Sequence, residues 1–121
     1  MAPDAFSGLT IPLIATGGTL DVGNTGGPVI QPWEWRMSPY TLAPPGDKYS
    51  VVLESGDHYL GGVICRTDRG GDDDPAGAAI DASLTLAFLD AYVKQDRSAA
   101  RFLATADIPA RTAGRARFDR K

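Results

Sequence analysis

The fold is decided by two stretches, Ile11-Pro12-Leu13-Ile14-Ala15-Thr16 and Lys48-Tyr49-Ser50-Val51-Val52-Leu53-Glu54. The first is apolar without alternation and ends at two glycines, and the second contains three consecutive aliphatic residues. Unalternating apolar runs of this length are typical of strands buried on both faces, as in a parallel sheet. Pro12 is tolerated only at the first position of a strand or on an edge, so the first strand is expected to begin near Leu13.

Helical segments are predicted to follow each strand. After the first, a loop rich in glycine leads to a short helix over Trp33–Tyr40, which Pro39 is expected to stop. After the second, a loop over Ser55–Gly77 leads to a long helix over Ala76–Gln95. Asp74 is a suitable N-cap for that helix.

A further short helix is predicted over Ser98–Ala104. Parallel strands joined by a helical crossover define the α/β class. A parallel sheet covered on both faces needs more than two strands, so we interpret the chain as one edge of a larger, doubly wound sheet.

The end of the chain differs in charge from the rest. Residues 94–121 carry eight basic and three acidic side chains, whereas residues 1–93 carry four basic and twelve acidic ones. The last stretch, residues 105–121, contains few large apolar groups, so we predict a basic, disordered tail after a partial domain over residues 1–104.

Composition excludes several functional classes. The 121 residues carry a formal net charge of −3, which argues against a general nucleic-acid binder. No run of 18 apolar residues is present, and the start has no basic, apolar leader, so neither a membrane span nor a secretory signal is expected. With Cys65 as the one cysteine, no internal disulfide can form. We expect a cytoplasmic protein without a cofactor.

Two titratable side chains follow the two predicted strands. Asp21 lies five residues after the first strand, and His58, the one histidine of the chain, lies four residues after the second. Ligands of open α/β sheets bind outside the carboxyl ends of the strands. If the strands are parallel neighbours, Asp21 can fix one ring nitrogen of His58 and leave the other as a general base. A lone histidine in a loop is also often merely solvated.

Other residue patterns point to weaker alternatives. The spacing of the acidic cluster, formed by Asp68, Asp72, Asp73 and Asp74, does not match a calcium loop, so we predict no metal site. Cys65 and His58 lack the arrangement of a thiol nucleophile. Four aromatic and methionine residues could line an acyl pocket, although packing is the more common role of such side chains near proline-rich turns. These residues are Trp33, Trp35, Met37 and Tyr40.

The stretches Ile11–Asp21, Pro45–Leu53 and Gly56–Gly62, in this order and spacing, resemble the C-terminal part of α/β-hydrolase-fold enzymes. The resemblance is greatest to dienelactone-hydrolase-like and polyester-hydrolase-like esterases. It covers about three quarters of the chain. It implies that Asp21 and His58 are the acid and the histidine of a catalytic triad, and that the substrate of the parent enzyme is a small-molecule ester.

One departure from the family is decisive. Its members place the nucleophile in a Gly-x-Ser-x-Gly turn ahead of the acid and the histidine, and this motif is absent here. Neither Ser7 nor Ser55 has a glycine two residues before it and another two residues after it. The expected function is therefore a serine-hydrolase fragment that is inactive alone and needs a complementing N-terminal hydrolase part. The alternative is a non-catalytic module, or a truncated gene product, that completes another chain's sheet.

Overall fold

The computed structural model describes residues 2, 4–24, 28–60, 63 and 72–121. The elements follow one another in this order: β1 (Leu13–Gly18), β2 (Gly23–Asn24), β3 (Ile30–Gln31), a 3-10 helix (Trp33–Met37), α1 (Ser38–Leu42), β4 (Lys48–Leu53), α2 (Pro75–Tyr92), α3 (Arg97–Thr105), α4 (Ile108–Arg111) and β5 (Ala116–Arg120). None of the helices in these ranges is both long and apolar enough to span a bilayer.

A mixed three-stranded sheet in the order β1-β4-β5 organises the chain. β1 and β4 are parallel, with Leu13 opposite Lys48 and Gly18 opposite Leu53, so the predicted parallel neighbours are confirmed. β5 runs antiparallel to β4 on its other side. β2 and β3 form a separate antiparallel pair. The α/β class is therefore as predicted.

Both faces of the central strand are covered, which explains its three consecutive aliphatic residues at positions 51–53. All six residues of β4 are buried. On one face, Val51 packs in a cluster with Leu84 of α2, and Tyr49 packs with Leu103 of α3. Val51 and Leu103 are both fully buried. The 3-10 helix and α1 cover the opposite face, where Met37 is also buried.

The predicted disordered tail over residues 105–121 is wrong, because this stretch forms α4 and β5. Its alternation of residue types is that of a strand. Ala116 and Phe118 pack into the core against α2 and α3, while Arg117 lies on the opposite face and pairs with Glu54. A two-residue period of this kind is typical of a strand, and composition alone does not reveal it. The segment forms the third strand of the sheet.

The helix predictions are largely confirmed. The Asp74 carboxylate caps α2 by accepting a hydrogen bond from the Gly77 amide at 2.8 Å, and Asp96 caps α3 in the same way. The helix predicted over Trp33–Tyr40 is instead a 3-10 helix followed by α1. Pro39 does not stop it, because this proline lies in the first turn of α1, where no helical N–H bond is lost.

Candidate active site

The loops that follow β1 and β4 are bonded to each other at the carboxyl end of the sheet. The Thr19 amide donates to the Leu53 carbonyl at 3.0 Å, and the Leu20 amide donates to the Gly56 carbonyl at 2.9 Å. The Ser55 amide donates to the Thr19 hydroxyl at 2.8 Å. These bonds hold the two loops against each other, and thereby fix the positions of Asp21 and His58, which follow them in sequence.

Asp21 and His58 meet at this end of the sheet. The Nδ1 atom of His58 lies 3.1 Å from Oδ2 of Asp21. A carboxylate can only accept hydrogen bonds, so this contact requires the proton on Nδ1 and leaves Nε2 of the neutral ring as the basic nitrogen. The structure therefore brings the sequence-predicted pair into hydrogen-bond contact.

The two members of the pair differ in exposure. The Asp21 side chain is 7% exposed, whereas the His58 side chain is 49% exposed. His58 also contacts the Tyr59 ring edge to face, with 4.8 Å between the ring centroids. The carboxylate is thus buried behind a histidine that solvent and a ligand can reach.

Arg36, which the sequence analysis did not single out, completes the surroundings of Asp21. Its Nε atom lies 2.5 Å from Oδ1 of Asp21. The same guanidinium group donates to the backbone carbonyls of Asp21 and Val22, each at 3.2 Å. Arg36 therefore compensates the buried carboxylate and holds the turn that carries it. Its one sequence signal is that no other lysine or arginine occurs before Lys48.

A cleft of about 280 Å³ opens beside the pair. It is lined by Thr16 and Gly17 of β1, Leu53 of β4, Asp81 of α2 and residues of the two loops, Asp21, Arg36, Asp57, His58 and Leu60. Clefts that combine an apolar wall with a few convergent polar groups are typical of small-molecule sites. The Asp21–His58 pair and the cleft thus lie together at the carboxyl ends of β1 and β4.

Asp81 is a second carboxyl group in the cleft wall. Burial raises its pKa above the ordinary value, and a hydrogen bond with the Thr16 hydroxyl partly opposes that increase. Its Oδ1 atom is buried without a hydrogen-bond partner. The sequence analysis named no role for Asp81. Apolar residues lie on most sides of α2, so the pattern could not show which way this side chain points.

We expect the Asp81→Asn variant to be more stable than the wild type at pH 7, by about 1 kcal/mol or less because the residue is partly exposed. The raised pKa means that the folded state holds the proton more tightly than the unfolded state, so ionisation costs stability as the pH rises. The gain should disappear when the pH falls below the pKa of the unfolded chain. Urea unfolding across this pH range measures it.

The matched control for Asp81→Asn is Asp90→Asn on the same helix. Asp90 pairs with Lys94 at 2.6 Å, so its replacement should slightly destabilise the protein at pH 7. A loss of stability in Asp81→Asn at neutral pH would contradict the claim that the ionised Asp81 carboxylate destabilises the folded state.

None of the remaining sequence candidates that the structure describes lines the cleft. Trp33, Met37 and Tyr40 line a separate cavity of about 150 Å³ against the other face of the sheet, which does not favour an acyl-pocket role. Neither Ser7 nor Ser55 lines the cleft. Cys65 and Asp68 lie outside the described residues. Within the described ranges, no group of three or more His, Cys, Asp or Glu side chains could hold a metal ion.

Comparison with known proteins identifies no relative. No family model matches the chain, no curated protein is similar to it, and no solved structure matches it.

Proposed function

We propose that the chain supplies the acid and the base of a serine hydrolase acting on small-molecule carboxylic esters, as the C-terminal part of an α/β-hydrolase-type domain. The observation that supports this most strongly is the contact between Asp21 and His58 at the carboxyl ends of two parallel strands. Ligands of open α/β sheets bind at this end. The serine would come from a complementing N-terminal part.

In the proposed reaction, Nε2 of His58 removes the proton of the serine hydroxyl as the serine oxygen attacks the ester carbonyl carbon. The tetrahedral intermediate then collapses, the bond to the alcohol breaks, and His58 returns the proton to the leaving alcohol. Water attacks the acyl-serine with His58 again as the base, which releases the acid and restores the serine. Asp21 stabilises the imidazolium at each stage.

Arg36 is a positioning residue in this proposal. It touches Asp21 and the backbone of the acid-bearing turn, and it reaches His58 only through that carboxylate. Arg36 contacts Oδ1 of Asp21, so Oδ2 of the same carboxylate remains to hold Nδ1 of His58. The imidazole ring is therefore fixed on its Nδ1 side, and His58 lines the cleft.

We expect the purified chain to show no serine-dependent hydrolysis of p-nitrophenyl acetate, and not to react with a fluorophosphonate probe. The reason is that no Gly-x-Ser-x-Gly nucleophile is present, and no serine of the described residues lines the cleft. Hydrolysis that depends on a chain serine and is lost in His58→Ala would contradict the proposal, since the chain would then hold a complete site.

The second candidate is a non-catalytic module that completes the sheet of another chain. It is favoured by the position of β1, which has β4 on one side and no strand on the other in the described part of the chain. The DNA upstream of the Met1 codon distinguishes the two. An open frame that encodes a Gly-x-Ser-x-Gly turn supports the hydrolase proposal, whereas an in-frame stop codon favours the module.

A further inference from the structure

The two edges of the sheet differ in how they are protected against pairing. The outer strand β5, with sequence Ala-Arg-Phe-Asp-Arg, has three charged residues out of five. The other outer strand, β1, has the sequence Leu-Ile-Ala-Thr-Gly-Gly and carries no charge. Charged side chains on an edge strand are a common defence against pairing with another chain, and β1 lacks it.

The backbone of β1 has groups available for such pairing. The Leu13 amide donates to Asp47 and the Thr19 amide donates to Leu53, so the odd-numbered residues face β4. The even-numbered residues Ile14 and Thr16 consequently direct their N–H and C=O groups away from the sheet. Neither has a backbone partner on that side among the described residues.

The available stretch of β1 is self-complementary. If two copies pair antiparallel with Ile14 opposite Thr16, each pair exchanges both hydrogen bonds and the two-fold axis passes at Ala15. Ala15 then faces its own copy across a pair without hydrogen bonds, where side chains approach most closely and a small residue fits best. Antiparallel edge pairing is also the arrangement that two-fold symmetry permits.

Exposed apolar side chains lie at both ends of the strand. Ile11 is 65% exposed just before β1, and Leu20 is 60% exposed just after it. Continued past the strand ends, the same antiparallel register brings Ile11 of one copy opposite Thr19 of the other. The exposed apolar side chains of Ile11 and Leu20 thus flank the proposed contact.

We propose that the isolated chain forms a two-fold dimer in which the β1 strands of two copies pair antiparallel into one continuous sheet. The dimer uses the edge that a complementing chain would otherwise occupy, and it does not depend on the proposed hydrolase chemistry. The contact is small, so it belongs with weak and reversible interfaces.

Sedimentation equilibrium of the full chain, from roughly 10 μM to roughly 1 mM, tests the dimer. We expect a monomer–dimer equilibrium that Thr16→Pro weakens at least about tenfold, because proline removes the outward N–H group from both copies. Thr16→Val is the matched control, since it loses the same hydroxyl, keeps the N–H and should dimerise as the wild type does. Circular dichroism establishes that both variants are folded.

A second set of variants does not touch the strand itself. Lysine at position 11 or 20 places a charge on an exposed side chain, and we expect Ile11→Lys and Leu20→Lys each to weaken the dimer. Val93→Lys replaces an equally apolar and 73% exposed residue just after α2, and it should leave the dimer unchanged.

Cross-linking locates the axis. In a Cys65→Ser background, Ala15→Cys should form an intermolecular disulfide under mild oxidation, because the Cα atoms of such a pair lie about 4.5 Å apart. Ala100→Cys, exposed on α3, should not. A monomer at every concentration would overturn the proposal. So would equal dimerisation of folded Thr16→Pro and Thr16→Val, or a dimer that Ala15→Cys does not cross-link.

Discussion

Replacing Gly18 with alanine is expected to destabilise the protein by about 1–3 kcal/mol and to separate Asp21 from His58. A Cβ atom at Gly18 would overlap the carbonyl oxygen, carbonyl carbon and Cα of Gly56. These are backbone atoms, so no side-chain rotation can relieve the overlap. Gly18 lies three residues before Asp21 and Gly56 two residues before His58, so the loops must part at the site itself.

Urea unfolding measures the stability of Gly18→Ala, and NMR of the His58 ring reports whether the contact with Asp21 survives. Gly8→Ala is the matched control, because a Cβ there meets nothing within 4 Å. Its stability should stay within about 0.5 kcal/mol of the wild type. A Gly18→Ala protein as stable as Gly8→Ala would contradict the close approach of the two loops.

Much of the fold could be predicted from the sequence because its signals are local. The unalternating run at Val51–Leu53 indicated burial on both faces, and Asp74 ahead of Pro75 indicated the start of α2. The strand β5 was missed because its charged residues dominate its composition. What holds β5 is pairing with β4, a contact between segments more than sixty residues apart.

The site likewise contains residues that the sequence predicts and residues that it does not. Asp21 and His58 could be predicted because parallel strands bring the ends that follow them together. Arg36 arrives from the 3-10 helix, fifteen residues after the carboxylate it contacts, and no spacing rule relates the two. Asp81 depends on which side of α2 faces β1, and tertiary packing decides that orientation.

Asp21→Asn is expected to reverse the tautomer of the neutral His58 ring. An amide has one oxygen, and Arg36, whose Nε lies 2.5 Å from Oδ1, competes for it. The amide NH₂ then faces Nδ1, which must accept and therefore loses its proton to Nε2. Loss of the buried ion pair should also destabilise the protein by about 1–3 kcal/mol. Glu54→Gln, which removes one charge from an exposed pair with Arg117, should change neither property.

The most direct test of the acid–base pair is ¹⁵N NMR of the His58 ring at a pH where the ring is neutral. In the wild type we expect the proton on Nδ1, with Nε2 unprotonated and available as a base. Asp21→Asn should show the opposite tautomer, and Glu54→Gln should match the wild type. A wild-type ring protonated on Nε2, or tautomers that do not respond to Asp21→Asn, would contradict the assignment of this pair as the acid and the base.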